Sequence, residues 1–248
     1  AVFVGAANAR IYGVGSDGVS LDDIWPGILD TGAGSSPAML SDGTLLVGTL
    51  GAGVYATCPN GVTRYISTTG SSLSSPAVGR LAGVSDEDED ELFVVGGDDG
   101  LLRAIREDGI LQWSFAFAAP IMAAPVVLLD AATPATIQAV FAVDSTGAVQ
   151  RLTADGRRAP GFFPPASLGP VLASPALAPH PGGNLRLYVI GFDGSVHAID
   201  ADRGDLLWTW EAGVAVESSP AVVVDAAGES APVLVFGTWG GELLYLRD

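Results

Sequence analysis

The chain has 248 residues, 48% of them hydrophobic, and a formal charge of −17 from 28 acidic residues and 11 arginines with no lysine. This negative charge argues against binding to nucleic acid or to anionic membranes, because both require a basic surface. It favours binding to cationic partners or to Ca²⁺. Cys58 is the only cysteine, which excludes an internal disulfide and a cysteine metal cluster. We expect one domain over residues 1–248 that does not insert into a membrane, and the sequence sets no oligomeric state.

A short signature recurs along the chain, in which small residues precede a proline that a small apolar residue follows. The prolines are 39, 49, 50 and 45 residues apart. Because proline has no amide hydrogen, each signature predicts the start of a strand rather than its interior. The five copies lie at Pro37, Pro76, Pro125, Pro175 and Pro220.

Each repeat carries further strand patterns. Apolar runs predict second strands at residues 2–4, 45–47, 92–95, 139–143, 187–190 and 233–236. Third strands are predicted at residues 10–14, 53–57, 101–105, 148–152, 195–199 and 242–246. Fourth strands are predicted to end near Trp25, Tyr65, Trp113, Phe162 and Trp208. A period in the forties with four strands per repeat predicts an all-β propeller of four-stranded antiparallel blades.

The two ends of the chain supply incomplete repeats. The first repeat begins at a second strand and the last stops after a third strand, so the pattern contains 22 strands. This count predicts six blades; five blades, or part of a larger ring, are the alternatives. We expect the last repeat to close the ring against the first, since an open edge leaves backbone donors unpaired. The small residues before each proline suit the crowded axis of such a ring.

One segment carries a more specific motif. Ala198, Asp200, Gly204 and Trp208 follow the pattern Ala-x-Asp-x-x-Thr-Gly-x-x-x-Trp, with Arg203 in place of the Thr. This segment resembles the blade-docking motif of pyrroloquinoline-quinone-type propeller repeats. A shorter copy lies at Ala104, Gly109 and Trp113.

The resemblance implies a function without catalysis. Small relatives with these repeats are scaffolds in envelope assembly, sensor domains or adhesive modules, which implies a periplasmic or extracellular location. Pyrroloquinoline quinone itself is not expected, because the quinone dehydrogenases are eight-bladed and use an adjacent Cys-Cys pair, whereas Cys58 is alone. Fold-level likeness of this kind supports a class of function rather than a particular one.

The acidic run at residues 85–91 is a candidate metal site. Asp86, Asp88 and Asp90 alternate along it, and carboxylates in such spacing can converge on a hard cation such as Ca²⁺. Its position between a first and a second strand resembles the calcium loops of integrin-type FG-GAP repeats, although the glycines of those loops are missing. The alternative is a solvated acidic loop.

Phe192, Asp193 and Trp239 form a candidate ligand-binding site. They occupy equivalent turns between second and third strands of neighbouring repeats. Because each strand crosses the disc once, these turns share a face with the connections from fourth to first strands, and the acidic run lies on the opposite face. Two exposed aromatic rings beside an Asp would anchor a peptide or a sugar. The alternative is that each ring folds over its own turn.

Two classes of function remain after these observations. The first is a non-catalytic binding, scaffold or sensor module that presents one face to a protein or glycan. The second is a propeller hydrolase or lyase that uses loop carboxylates. Glu217 is the only acid just before a Ser-Pro-Ala strand, and no Gly-x-Ser-x-Gly elbow occurs. His197 aligns with Tyr, Arg, Gln and Leu in other repeats, which predicts a half-exposed packing position. The first class is therefore favoured.

Overall fold

The computed structural model describes residues 1–21, 27–51, 53–67, 71–81, 91–133, 135–181, 183–225 and 230–248. Within these residues the chain forms 21 strands in six antiparallel sheets. The sheets follow one another in chain order as the blades of a β-propeller, as the repeat period predicted. No helix among the described residues has the length and apolarity to cross a membrane.

Blades 1 to 3 occupy the first half of the chain. Blade 1 contains β1 (Val2–Ala6), β2 (Arg10–Val14) and β3 (Gly27–Ile28). Blade 2 contains β4 (Ala38–Met39), β5 (Leu45–Thr49), β6 (Gly53–Thr57) and β7 (Thr63–Ser67). Blade 3 contains β8 (Ala77–Arg80), β9 (Glu91–Gly96), β10 (Leu101–Arg106) and β11 (Leu111–Ala116).

Blades 4 to 6 repeat the arrangement. Blade 4 contains β12 (Val126–Leu129), β13 (Ile137–Val143) and β14 (Val149–Thr153). Blade 5 contains β15 (Ala176–Pro179), β16 (Leu185–Ile190), β17 (Ser195–Asp200) and β18 (Leu206–Glu211). Blade 6 contains β19 (Ala221–Val223), β20 (Val233–Gly237) and β21 (Leu243–Arg247).

The core lies between the blades. Apolar side chains meet in five clusters, each joining two blades that follow each other along the chain. Every residue of β5 and β9 is buried, because both faces of these second strands are covered by neighbouring blades. Burial on both faces explains why second strands read as continuous apolar runs instead of alternating patterns. The first strands β4, β8, β12, β15 and β19 contact one another in succession, which places them innermost.

Tryptophan docks one blade on the next, as the motif implied. The indole N–H of Trp113 on β11 donates to the carbonyl of Ala154 in blade 4 at 2.8 Å. Its ring packs over Gly156, where an added Cβ would lie 2.5 Å from the indole. Gly109 lies against Ile66 of blade 2, and Gly204 lies against the backbone of Phe163 and Pro164. Trp25, which the sequence aligned with this position, lies outside the described residues.

The serines before the prolines accept hydrogen bonds from backbone N–H groups, a role that their small size alone did not indicate. The first serine of a pair bonds within its own blade: Ser74 Oγ accepts from the Gly96 N–H at 3.0 Å. The second reaches the preceding blade: Ser219 Oγ accepts from the Ser174 N–H at 2.9 Å. Equivalent bonds are made by Ser35, Ser218, Ser75 and Ser174. The hydroxyls thus satisfy backbone donors at the crowded axis, where no strand can pair with them.

The fourth strand predicted to end near Phe162 does not form. Beyond β14 only an isolated bridge follows, and the chain then leaves the sheet. The departing segment contains Pro160, Pro164 and Pro165, which have no amide hydrogen to donate to a ladder and restrict the residues before them. Blade 4 therefore ends at β14, and the 22 strands of the pattern become 21 among the described residues.

The expected closure of the ring is also wrong. The faces that closure would bury are exposed: Val2 and Val4 on blade 1 are 67% and 56% exposed, and Leu243 and Tyr245 on blade 6 are 58% and 69% exposed. The opposite faces of both blades pack on blades 2 and 5. Blade 1 has no first strand among the described residues, so no strand of blade 1 takes part in the succession of contacts between first strands. Among the described residues, the ring is therefore open between blades 1 and 6.

Candidate functional site

The candidate site lies on one rim, in turns that are hydrogen-bonded to the connections between blades. Phe192 lies in the turn from β16 to β17; its N–H donates to the Pro170 carbonyl at 2.6 Å, and its carbonyl accepts from the Val216 N–H at 3.2 Å. Trp239 lies in the turn from β20 to β21, and its N–H donates to the Ala215 carbonyl at 2.9 Å. These bonds confirm that the turns share a face with the connections from fourth to first strands.

The two predicted rings contact each other across the blade boundary. The ring centroids of Phe192 and Trp239 are 6.1 Å apart at an interplanar angle of 84°, an edge-to-face pair. Trp239 is 69% exposed and Phe192 is half-buried. The indole N–H of Trp239 donates to Glu217 Oε2 at 3.2 Å, a partner that the repeat pattern did not indicate.

Asp193 is exposed, but it builds its own turn. Its Oδ1 accepts from the Ser195 N–H at 3.0 Å and from the Ser195 hydroxyl at 2.6 Å. The hydroxyl bond is the main reason that the pKa of Asp193 lies below its usual range, so the carboxylate is ionised at neutral pH. Asp99 and Asp144 make similar turn bonds in blades 3 and 4. Asp193 therefore supplies negative charge to the rim while one of its oxygens is committed to the fold.

His197 is buried beneath this turn, at 8% exposure, and is not the half-exposed packing residue that the sequence predicted. Its Nε2 lies 2.9 Å from Ser195 Oγ and its Nδ1 lies 3.0 Å from Thr209 Oγ1. Burial lowers the pKa of His197, which favours the neutral ring. The Ser195 hydroxyl donates to the ionised Asp193, so its oxygen is available to accept from the Nε2 side of the His197 ring.

This chain of polar groups does not have the order of a catalytic triad. The serine lies between the acid and the histidine, whereas a nucleophilic serine must bond to a histidine that the acid in turn orients. Ser195 is also only 4% exposed. The three residues make the turn that carries Phe192 rigid.

The predicted metal ligands Asp86, Asp88 and Asp90 lie outside the described residues, so their arrangement stays a prediction. Within the described ranges, no three His, Cys, Asp or Glu side chains come together in a way that could hold a metal ion.

The axis of the ring forms a cavity of about 490 Å³. Residues of all six blades line it, and none of these described residues is acidic. Five of the 14 lining residues are serines, and Phe3, Leu73, Met122 and Leu172 are among the larger side chains. Paired carboxylates, which a glycoside hydrolase would need, are therefore not part of this described lining.

Comparisons with known proteins identify the fold. No protein-family model matches the sequence, and no curated protein matches it. The computationally designed Ika8 protein is similar in structure, with a TM-score of 0.66, 15% identity, and 99% of this chain matched to 67% of that chain. BamB from Moraxella catarrhalis has a TM-score of 0.63 at 14% identity, with 99% and 71% of the two chains covered. BBS1N, solved in complex with ARL6DN, has a TM-score of 0.61 at 18% identity, with 98% and 73% covered.

These likenesses show the propeller fold and do not single out the quinone-type repeat family. The matches use nearly all of this chain but only about two thirds to three quarters of the neighbours. This difference agrees with an open ring of six blades that superposes on part of a longer structure.

Proposed function

We propose that this protein is a non-catalytic binding module, a scaffold or sensor that presents one propeller face to a partner. The observation that carries the proposal is the ring pair of Phe192 and Trp239, which spans two blades on one rim and leaves Trp239 69% exposed. Exposed tryptophans are the side chains that most often dominate the binding energy of an interface once a partner covers them.

The rim is organised before any partner arrives. Backbone hydrogen bonds hold both turns, and Glu217 holds the indole of Trp239. A surface that is already ordered loses less conformational entropy on binding, which favours affinity. Asp193 and Glu217 are both exposed, so the rings lie among negative charges. The complementary partner surface carries an apolar side chain flanked by Arg or Lys.

A protein suits this rim better than a glycan. The edge-to-face rings and the flanking carboxylates form an uneven acidic surface that complements a basic loop, whereas a sugar ring packs best on an open aromatic face. BBS1N, a structural neighbour, was solved in complex with ARL6DN, so a propeller of this shape accompanies a protein partner elsewhere. We extend the proposal to a periplasmic or extracellular protein partner and keep a glycan as the alternative.

The test compares Trp239→Ala with Tyr245→Ala. Both side chains are 69% exposed, but Tyr245 lies on the outer face of blade 6 and not on the rim. Immobilised protein captures partners from a cell-envelope or secreted extract, and each partner is purified and titrated against the variants. We expect Trp239→Ala to weaken binding about 30-fold, equivalent to ~2 kcal/mol, and Tyr245→Ala to change it less than about two-fold.

Two results would contradict this proposal. Equal binding by the wild type and Trp239→Ala would remove the rim from the interface. Trp239-dependent binding on a glycan array, without a protein partner, would replace the protein by a glycan. Trp239 also bonds to Glu217, so its replacement could disturb the fold. The binding results are therefore compared only if the variant retains the circular dichroism spectrum and melting temperature of the wild type.

A further inference from the structure

The third strand of blade 6 has an edge that no other described strand covers. Among the described residues this blade contains β19, β20 and β21 (Leu243–Arg247), and β21 pairs with β20 alone. In blades 2, 3 and 5 a fourth strand lies along the equivalent edge. Every residue of the equivalent strand β6 is buried, whereas Leu243 and Tyr245 on β21 are 58% and 69% exposed. The edge of β21 is therefore open to solvent.

The backbone of β21 directs alternate residues outward. The Asp248 N–H donates to the Pro232 carbonyl at 3.0 Å, on the side of β20. Because the backbone groups of a strand alternate in direction, the even-numbered residues before Asp248 also bond toward β20. The N–H and C=O groups of Leu243, Tyr245 and Arg247 point away from β20, and no described residue bonds to them. These outward groups can form a ladder with a further strand.

The pairing of β21 lacks the irregularity found at the fourth strands. Each of the fourth strands β7, β11 and β18 pairs with its third strand through a register shift. Such a β-bulge twists a strand edge and hinders further pairing. In contrast, β21 pairs with β20 without a shift, and its sequence LLYLR contains no acid, proline or glycine. A regular, apolar and exposed edge of this kind is a site where another strand adds.

A second copy of β21 complements this edge. With Tyr245 placed opposite Tyr245 of an antiparallel copy, Leu243 lies opposite Arg247, so the outward residues of both strands form hydrogen-bonded pairs. The two Tyr245 rings then lie next to each other on one face, flanked by leucine and by the apolar stem of arginine. On the other face Leu244 lies opposite Leu246. This register uses all the outward backbone groups and brings apolar side chains together on both faces.

Charge opposes the approach of two molecules but not the pairing of the strands. Between Leu243 and Arg247 the only charged side chain is that of Arg247. Glu242 lies opposite Asp248 of the second copy in this register, but Arg186 already bonds to the Asp248 carboxylate. The whole molecules, at −17 each, repel one another. Salt screens this repulsion, because the Debye length falls from about 30 Å at 0.01 M to about 8 Å at 0.15 M ionic strength.

We propose that the protein forms a dimer in which β21 pairs antiparallel with β21 of a second copy, about a twofold axis at Tyr245. The sheet of blade 6 then continues into the sheet of the second copy, which supplies the strand that blades 2, 3 and 5 supply themselves. An interface that uses the same surface twice closes at two copies. The rim of Phe192 and Trp239 lies at the end of β21 and not along its edge, so this proposal stands or falls separately from the function proposed above.

The experiment compares two lysine substitutions on the same face of blade 6. Tyr245→Lys places two lysines opposite each other at the proposed axis. Val223→Lys is the matched control: Val223 is 57% exposed, and its register with Val233 and Arg247 puts it on the same face, but it lies on the first strand β19. Sedimentation velocity compares wild type and variants with the monomer mass of 25.1 kDa over a range of concentrations. Hydrogen exchange follows the amides of Leu243, Tyr245 and Arg247 over the same range.

We expect the wild type to dimerise, with a dissociation constant that is lower at about 0.15 M than at about 0.01 M NaCl. Tyr245→Lys should raise the dissociation constant at least about ten-fold, because like charges then meet on opposite strands. Val223→Lys adds the same charge and should change the dissociation constant less than about two-fold, since it lies away from the edge. Exchange of the three outward amides should slow as the dimer forms.

Four results would overturn the proposal. A wild type that stays monomeric at millimolar concentration would leave the edge of β21 to a strand from a different protein. Equal weakening by Tyr245→Lys and Val223→Lys would indicate packing between faces instead of pairing between edges. A dimer whose outward amides exchange as fast as those of the monomer would exclude the ladder. A dimer that dissociates in Trp239→Ala would place the interface at the rim.

Discussion

Asp248 shows how a single side chain can tie two blades together. Its carboxylate accepts from the Tyr188 hydroxyl at 2.5 Å, from the Trp208 indole N–H at 2.7 Å and from the Arg186 guanidinium. Tyr188 and Trp208 belong to blade 5, whereas Asp248 follows β21 of blade 6. Burial alone would raise the pKa of Asp248, but the three donors outweigh it and lower the pKa; burial and the neighbouring carboxylate raise the pKa of Tyr188.

We predict that Asp248→Ala lowers the free energy of unfolding at pH 7 by about 1–3 kcal/mol, because buried donors lose their acceptor. A carboxyl whose folded pKa is depressed stabilises the fold above its unfolded pKa of about 3.9, and this stabilisation is lost as the pH falls through the folded value. The difference between wild type and variant in urea melts should therefore shrink below about pH 4. Asp205→Asn, at an exposed position, is the control; a pH-independent difference would contradict the assignment.

At the scale of the blade, Trp113 of blade 3 packs over Gly156 of blade 4. Gly156 has a positive φ of 79°, and its missing side chain makes room for Trp113 of the preceding blade. Gly18 has nearly the same φ, 80°, with nothing within 4 Å of an added Cβ. The two glycines therefore share a backbone conformation and differ in the contact across the blade boundary.

We predict that Gly18→Ala costs about 1–2 kcal/mol of unfolding free energy, the strain of a left-handed residue with a side chain. Gly156→Ala should cost about 1–3 kcal/mol more, because the added Cβ displaces the Trp113 ring and its bond to Ala154. Chemical denaturation of both variants measures the difference. If the two alanines destabilise the protein equally, the docking contact contributes nothing beyond backbone conformation.

At the scale of the whole molecule, the charge of −17 destabilises the compact fold, because the many carboxylates repel one another. A bound cation would reduce part of this repulsion. We propose that Asp86, Asp88 and Asp90 bind Ca²⁺. At ten times its dissociation constant, Ca²⁺ would stabilise the fold by about 1.4 kcal/mol and raise the melting temperature by about 3–6 °C.

Thermal melts with chelator, Ca²⁺ and Mg²⁺ test this proposal. The replacement of all three aspartates by asparagine should abolish the Ca²⁺ effect. A melting temperature that Ca²⁺ leaves unchanged would support the solvated acidic loop. An equal effect of Mg²⁺, or an equal effect on the triple variant, would indicate general screening of the negative surface instead.

Local pattern was sufficient to predict most strands and the pairing of the two rings. The spacing of the prolines and the apolar second strands predicted the blades, and strand parity placed Phe192 and Trp239 on one rim, where their centroids lie 6.1 Å apart. The same reasoning predicted a strand near Phe162 that Pro160, Pro164 and Pro165 prevent. The cluster of prolines was the signal that could have corrected it.

Partners distant in the chain could not be found in this way. Glu217 is 22 residues from Trp239, and this pair depends on how the connection before β19 lies beside the turn from β20 to β21. Asp248 is 60 residues from Tyr188, and this pair depends on how blades 5 and 6 dock. The buried position of His197 likewise depends on Thr209 in the next strand and on the cover from the adjacent loop.

The sequence by itself determined the blade, because a blade is built from neighbouring strands, and hairpin turns and two-residue alternation are local properties of the chain. Only the tertiary structure decided that the ring stays open, that blade 4 lacks its outer strand, and which faces remain exposed. These features depend on the accumulated angle of five blade interfaces and on whether a proline-containing segment returns to a strand edge. No short stretch of sequence contains either quantity.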